Sequence, residues 1–356
     1  MGRVFGPENL RRIQDTRSVL PAFARRLRRH RCGHRRLSEI HRRMKKPPGI
    51  SVIPVITGST ACGKTDTAFA LAVRTKGAII NADSQSVYKY FSIGTSKAPG
   101  FMRKKIKHYL VDFRDPEKQF SAGDFVILAG RAAEKIKRFG KLPIICGGTG
   151  LYISALQGGI SPIASSAKIR AEVAGMTPAE QLKELKKIDP AMYASIDKKN
   201  PRRVSRALEI HRVTGLPPGE ALAKNFIPGM DLKVFFLSMP REELYRRIDE
   251  RVDRMIAQGL VNEVKRILKR GVRENAPPFS AIGYKEILEH IRGEITLAEA
   301  AEKIKFRTHH LSRKQEIWWR KKGAVTISVS GKKAAEAAAE IEKILYNESA
   351  ITASGY

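Results

Sequence analysis

The sequence predicts an α/β fold in which a parallel sheet is flanked by helices and a small helical domain is inserted between two strands. Three observations carry that expectation. Short apolar runs alternate with helical segments, the first run passes through a glycine-containing turn into a helix, and a polar, helix-rich interval at 161–228 separates two strands.

Val52-Ile53-Pro54-Val55-Ile56 reads as the first strand, followed by Gly58-Ser59-Thr60-Ala61-Cys62-Gly63-Lys64-Thr65. The glycines let the backbone curl until successive N–H groups point at one anion, Lys64 neutralises charge, and Thr65 offers a hydroxyl to Mg²⁺. The helix expected over 64–74 adds its positive end. This segment is the expected polyphosphate site and makes the sheet P-loop NTPase-like. A second strand over 77–83 ends in Asp83, and a third over 141–146 ends in glycines. Ser121 and Asp124 form a capping box for a helix running towards Arg138. Val234 to Leu237 resumes the sheet after the insertion. Beyond Pro240, Leu244, Ile248, Val252 and Met255 form a buried helical stripe, with Arg246, Arg247, Arg251 and Arg254 on other faces. Thr296-Leu297-Ala298-Glu299 caps a second long helix through Phe306 and Leu311 towards Trp318, ended by Gly323. Val325 to Val329 reads as the last strand and 334–345 as a terminal helix. The expected organisation is a basic extension over 1–49, a core formed by 50–160 and 229–356, and a helical insertion over 161–228.

The 356 residues carry 67 Lys and Arg against 35 Asp and Glu, a net charge of +32. A polyanionic partner follows, because clustered cations gain affinity by releasing counterions from phosphate backbones. No apolar stretch reaches the roughly eighteen residues that span a bilayer, which argues against an integral membrane protein. Cys32, Cys62 and Cys146 lack zinc or redox spacing and fit a reducing cytoplasm better than secretion. Residues 1–48 hold 15 Lys or Arg and 3 acids. They read as a disordered tail, with an RNA-binding arm or an organelle transit peptide as alternatives.

Downstream of the loop lie Asn81-Ala82-Asp83-Ser84-Gln85-Ser86-Val87-Tyr88, then Ile93-Gly94-Thr95-Ser96-Lys97, Gly147-Gly148-Thr149-Gly150-Leu151-Tyr152 and Ala281-Ile282-Gly283-Tyr284-Lys285-Glu286. In this order the segments resemble the tRNA dimethylallyltransferase family, from about Ile53 to Lys322. The resemblance implies transfer of a dimethylallyl group from dimethylallyl diphosphate to the adenosine 3′ of the anticodon, Mg²⁺ as cofactor, and a monomer whose helical insertion reaches the anticodon stem-loop. No Cys/His zinc-finger spacing follows Lys322, as in bacterial-type members. Ser86 stands where the family usually has Gln, and Lys314 where it has Arg.

That chemistry requires a carboxylate, because the exocyclic amine of adenine is a poor nucleophile that benefits from losing its proton as the bond forms. Asp83 ends a strand beside the phosphate loop, where ligands of open α/β sheets bind. From the residues alone it is equally a turn cap with Ser84 or an outer magnesium ligand; the resemblance implies the general base. Stabilising the departing diphosphate is the other lever, and falls to Gly58, Ser59, Thr60, Ala61, Cys62, Gly63, Lys64 and Thr65. The resemblance adds Arg241 on the phosphates and Thr149 near the acceptor. It also implies tRNA contacts by Asp83, Ser84, Gln85 and Ser86, by Arg202, Arg203, Val204, Ser205 and Arg206, by Tyr284 and Lys285, and by Arg313, Lys314, Gln315, Trp318 and Arg320.

Two rivals share part of this pattern. A nucleotide kinase shares the loop and a strand-terminal acid, but the strand before Gly147-Gly148 ends without an acid to hold Mg²⁺ for ATP. An adenylate dimethylallyltransferase acting on a free nucleotide shares donor site and base, and lacks a reason for the basic insertion and the Trp-containing helix.

Overall fold

The computed structural model describes residues 52–164 and 166–353, so the basic extension over 1–49 lies outside the described residues. Strand β1 (Ile53–Gly58) is buried at every position, as a strand covered on both faces must be. With β2 (Ala78–Asn81), β3 (His108–Tyr109), β4 (Pro143–Cys146), β5 (Leu232–Ser238) and β6 (Val325–Ser328) it forms a six-stranded sheet of order β3-β2-β4-β1-β5-β6. All pairings are parallel; Val55 of β1 stands opposite Ile145 of β4 and Val234 of β5.

Side chains alternate between two apolar layers with the period of two that a strand imposes. Val55, Ile80, Ile145 and Phe236 enter one layer, and Ile56, Ile79, Ile144 and Phe235 the other. The second layer is closed by α1 (Lys64–Arg74), through Ala68, Leu71 and Ala72, and by Ala337, Ala338 and Ile341 of the C-terminal helix (Ala334–Ala353). Helix α2 (Gly100–Lys105) leads into the edge strand β3. Against the first layer lies α3 (Ala122–Arg138), opened by the capping box of Ser121 and Asp124, followed after β4 by α4 (Gly150–Gly158).

Helices α5 (Ala167–Ala174), α6 (Pro178–Ile188), α7 (Pro190–Ser195), α8 (Pro201–Thr214) and α9 (Pro218–Lys224) fill the interval before β5. Proline opens α6 to α9 at first-turn positions that need no N–H donor. Val173, Leu185, Val204, Ala207 and Leu208 form a separate apolar cluster there. This group is attached by a narrow neck, where Ile160 and Ile227 pair antiparallel and exchange backbone hydrogen bonds of 3.0 and 2.8 Å.

After β5 run α10 (Arg241–Ala257), α11 (Leu260–Lys269), α12 (Tyr284–Ile291) and α13 (Leu297–Arg320). Leu244, Ile248, Val252 and Met255 are the buried face of α10. Helix α13 packs across α10 and reaches β1 and α4, which brings its last turns over the carboxyl ends of the strands. Among the described residues no helix is long and apolar enough to cross a membrane.

Candidate active site

The phosphate loop leaves β1 at Gly58, where φ is +153° and a Cβ would stand 2.7 Å from both Cys62 Sγ and the Leu237 carbonyl. A side chain there would push β5 away from the loop, so the sequence has glycine. Cys62 N–H donates to the Ser59 carbonyl at 3.3 Å, and Lys64 Nζ lies against the carbonyls of Gly58 and Ser59 at 3.1 and 2.7 Å. Lys64 and Thr65 line a cavity of about 430 Å³ that also takes in Lys97, Arg247 and Arg254. Cys146 sits beneath it, its Sγ 3.6 Å from the Lys64 carbonyl; burial, only partly offset by the Lys64 charge, pushes its thiol up to about 12.

A second cavity of about 490 Å³ adjoins the first and is walled largely by apolar groups, among them Ile248, Val252, Ile282, Ile304 and Trp318. Thr60, Asp83, Thr95, Gly148 and Arg251 line both, so they form the passage between a cationic chamber and an apolar one.

Asp83 stands at this junction two positions beyond β2, which ends at Asn81 rather than at Asp83 as the sequence predicts. Its Oδ1 accepts from the N–H groups of Gln85 and Ser86 at 2.8 and 2.9 Å, which fixes the carboxylate while its other oxygen has no partner among the described residues. Ser84 N–H donates to Thr149 Oγ1 at 3.0 Å, and Thr149 N–H to the Ala82 carbonyl at 3.2 Å. This contact requires Gly147, because a Cβ there would lie 2.2 Å from the Ala82 oxygen. Asp83 and Thr149 are thus held by one hydrogen-bonded unit at the ends of β2 and β4.

Arg251 is the cation at the passage. Its Nη1 donates to Thr60 Oγ1 at 3.2 Å, and no carboxylate among the described residues stands within ion-pair distance. Burial pulls its guanidinium below the ordinary value, and the Asp83 charge pushes back. Its neighbours on α10 are otherwise matched: Arg246 and Arg254 with Glu250, Arg247 with Glu243.

The chain matches the model of the IPP transferase family over residues 86–322. The chain belongs to the IPP transferase family. Similar members include the tRNA dimethylallyltransferase of Thermomicrobium roseum, 41% identical over 283 residues covering 78% of this chain and 84% of that one. A second, from Trichlorobacter lovleyi, is 40% identical and covers 76% and 91%. Among solved structures, the full-length tRNA isopentenylpyrophosphate transferase of Bacillus halodurans is 33% identical with a TM-score of 0.61, covering 85% of this chain and 98% of that one. A eukaryotic dimethylallyltransferase acting on tRNA is 27% identical with a TM-score of 0.66, covering 78% and 73%. The parallel, helix-flanked sheet expected from the sequence is the one observed.

Within this IPP transferase several expected contact residues have other work. Arg241 does not reach the cationic chamber; it lines a separate cavity behind the loop with Ser59, Cys62, Arg313 and Glu316. It opens α10, whose axis carries its first turn to that side and Arg251, nearly three turns on, to the passage. Tyr284 is buried, its hydroxyl donating to Glu263 Oε1 at 2.7 Å and accepting from Gly94 N–H at 3.1 Å. Glu263 also accepts from the N–H groups of Ser92 and Ile93, so Glu263 and Tyr284 hold the loop that presents Thr95 to the passage. Val204 is buried in the insertion cluster, and Ser205 donates to Gln181 at 2.9 Å within it. Ser86 is buried and donates to Asn81 Oδ1 at 3.1 Å. Gln315 turns inward, accepting from Thr60 N–H at 2.9 Å and donating to the Gly148 carbonyl at 3.1 Å.

Arg202, Arg203, Lys285, Arg313, Lys314, Trp318 and Arg320 are exposed, while Arg206 is partly covered and bonded to Glu209 at 3.0 Å and to the Ile163 carbonyl. Lys314, Trp318, Ser84 and Gln85 line the apolar chamber. The sequence did carry a signal for Arg251. Four positions before and after it stand Arg247 and Met255, so it has no helical partner acid, whereas Arg246, Arg247 and Arg254 each have one.

Proposed function

We propose that this enzyme transfers the dimethylallyl group of dimethylallyl diphosphate to N6 of the adenosine 3′ of the anticodon in tRNA, releasing diphosphate. The observation that carries the reading is the junction: Asp83 and Arg251 line both a cationic chamber at a phosphate loop and an apolar chamber beside exposed Lys314 and Trp318. Family membership supports the same reading.

In this scheme the loop from Gly58 to Thr65, Lys64 and Arg251 bind the diphosphate and stabilise the charge that grows on it as the allylic C–O bond breaks. Lys64 exchanges its loop carbonyls for the donor's phosphate oxygens. The adenine, turned out of its stack, enters from the apolar side, as base chemistry within a folded RNA requires. N6 attacks the allylic carbon, the bonding pair leaves with diphosphate, and the N6 proton passes to the unpartnered oxygen of Asp83. Thr149 and the two N–H donors on Asp83 keep that oxygen in place. Arg202, Arg203, Arg313 and Arg320 position the RNA through its phosphates.

Mg²⁺ fits the chamber. Thr65 lines it with a hydroxyl that no described residue engages, and among the described residues no group of acidic or imidazole side chains forms a protein cage, so the ion would be held by one hydroxyl, water and substrate oxygens. When bound it would neutralise charge on the diphosphate. We place the enzyme in the cytoplasm, a reading supported by its buried free cysteines Cys62 and Cys146, and propose that it acts as a monomer.

The test supplies radiolabelled dimethylallyl diphosphate with either an anticodon stem-loop or AMP. Label in the stem-loop alone is expected; label in AMP alone would assign the enzyme to free nucleotides.

A further inference from the structure

We propose that Gln315 is a positioning residue for prenyl transfer, a strap that sets the separation between the donor's phosphate loop and the turn holding the catalytic base. The inference rests on the functional reading above. Gln315 sits on α13, 255 positions from Thr60 and 167 from Gly148, yet its amide touches both: Oε1 accepts from Thr60 N–H at 2.9 Å and Nε2 donates to the Gly148 carbonyl at 3.1 Å. One rigid planar group therefore spans the mouth of the passage. A Cβ on residue 148 would stand 2.5 Å from Nε2, so a side chain there would displace the Gln315 amide from this position.

Each end of the strap continues into reacting machinery. On the donor side Thr60 receives the Arg251 guanidinium on its hydroxyl. On the acceptor side Gly148 precedes Thr149, whose hydroxyl accepts from Ser84 N–H beside Asp83. A path of hydrogen bonds joined by short covalent stretches, within Thr60, from Gly148 to Thr149 and from Ser84 to Asp83, thus runs from Arg251 to Asp83, and Gln315 is its link through a side chain of α13. A parallel tie, from Ser59 Oγ to the Ser312 carbonyl at 3.1 Å, fixes the same helix to the loop without touching Gly148. Losing Gln315 leaves α13 docked and frees the distance between loop and turn. The attacking nitrogen and the allylic carbon must meet within a few tenths of an ångström, and a misplacement of about 1 Å costs roughly 10²-fold in rate.

The experiment compares wild type, Gln315→Ala and Gln315→Glu in single-turnover transfer from saturating dimethylallyl diphosphate to an anticodon stem-loop, with stem-loop affinity measured separately. Gln315→Ala is expected to lose roughly 10-fold to 10²-fold in rate with stem-loop affinity unchanged. Gln315→Glu accepts from Thr60 at any pH but donates to Gly148 only when its carboxyl is protonated. Its rate relative to wild type should therefore rise as pH falls. A residue that merely supports folding would give a pH-independent ratio, and that result, or a Gln315→Ala rate equal to wild type, overturns the proposal. Failure of wild type itself to label the stem-loop overturns the functional reading instead, and the strap with it.

Discussion

Arg251 donates to the side-chain hydroxyl of Thr60 across 3.2 Å, joining α10 to the phosphate loop from 191 positions away. The bond aims at the passage a cation with no carboxylate partner among the described residues, which the proposed reaction uses to stabilise the departing diphosphate. Arg251→Ala should reduce prenyl transfer roughly 10²-fold, the scale of removing one donor to a developing charge. Arg241→Ala should leave donor use near wild type. Kinetics with varied dimethylallyl diphosphate check both, and the opposite ranking would return the phosphate role to Arg241.

Asp83→Ala removes the proposed proton acceptor, which lies outside the phosphate loop. Single-turnover transfer should fall by roughly 10²–10⁴-fold, with pyrophosphate still binding in calorimetry. A loss below tenfold would remove Asp83 from the role of base.

Tyr284→Phe deletes one hydroxyl, leaving the partly buried Gly94 N–H and the buried Glu263 carboxylate each without one hydrogen bond. Thermal unfolding should show a loss of about 1–3 kcal/mol, the cost of unsatisfied buried polar groups, with unchanged stem-loop affinity. A drop in RNA affinity without a loss of stability would place Tyr284 on the RNA after all.

Lys97 and Asp112 form a pH-sensitive brace beside the cationic chamber, 2.6 Å apart, with the lysine side chain buried. Burial pulls the Lys97 ammonium below its ordinary value. Burial opposes ionisation of Asp112 as well, but Lys97 and Arg103 outweigh it and hold the carboxyl below the ordinary range. A carboxyl lowered in the folded state contributes stability above its unfolded pKa and loses it as pH falls through the folded one. Wild type should therefore lose stability on acidification into and below the ordinary carboxylate range, and Asp112→Asn should flatten that limb of the melting-temperature profile. An unchanged acid limb in Asp112→Asn would show that the pair contributes nothing.

Stem-loop binding should weaken steeply with salt. Neutralising Arg202, Arg203 or Arg313, all exposed, should flatten the log–log slope by about one unit or less each. Insensitivity to all three would put the RNA on another surface.

What was legible in the sequence follows from the range of the forces involved. The loop, the strands β1, β2 and β4 and the caps at Ser121 and Thr296 are local matters of spacing and propensity, so Lys64 and Thr65 were found from their own neighbourhoods, while the roles expected of Asp83 and Thr149 came from the family resemblance. Edge strand β3 spans only His108–Tyr109, too short for any alternation to register. The work of Glu263, Tyr284 and Gln315 depends on which distant backbone amides each one meets. Exposed arginine and buried tyrosine look equally RNA-like in a motif, and only packing tells Arg202 from Tyr284. For Arg251 the sign was the missing acid rather than any residue present.

The neck at Ile160 and Ile227 bears on how this architecture varies. Because the chain departs and returns through two facing residues, the catalytic sheet experiences everything between them as it would a tight turn. The helical insertion can thus be lengthened, exchanged or pared away without re-threading a single strand, by alterations that never touch the bonds around Asp83.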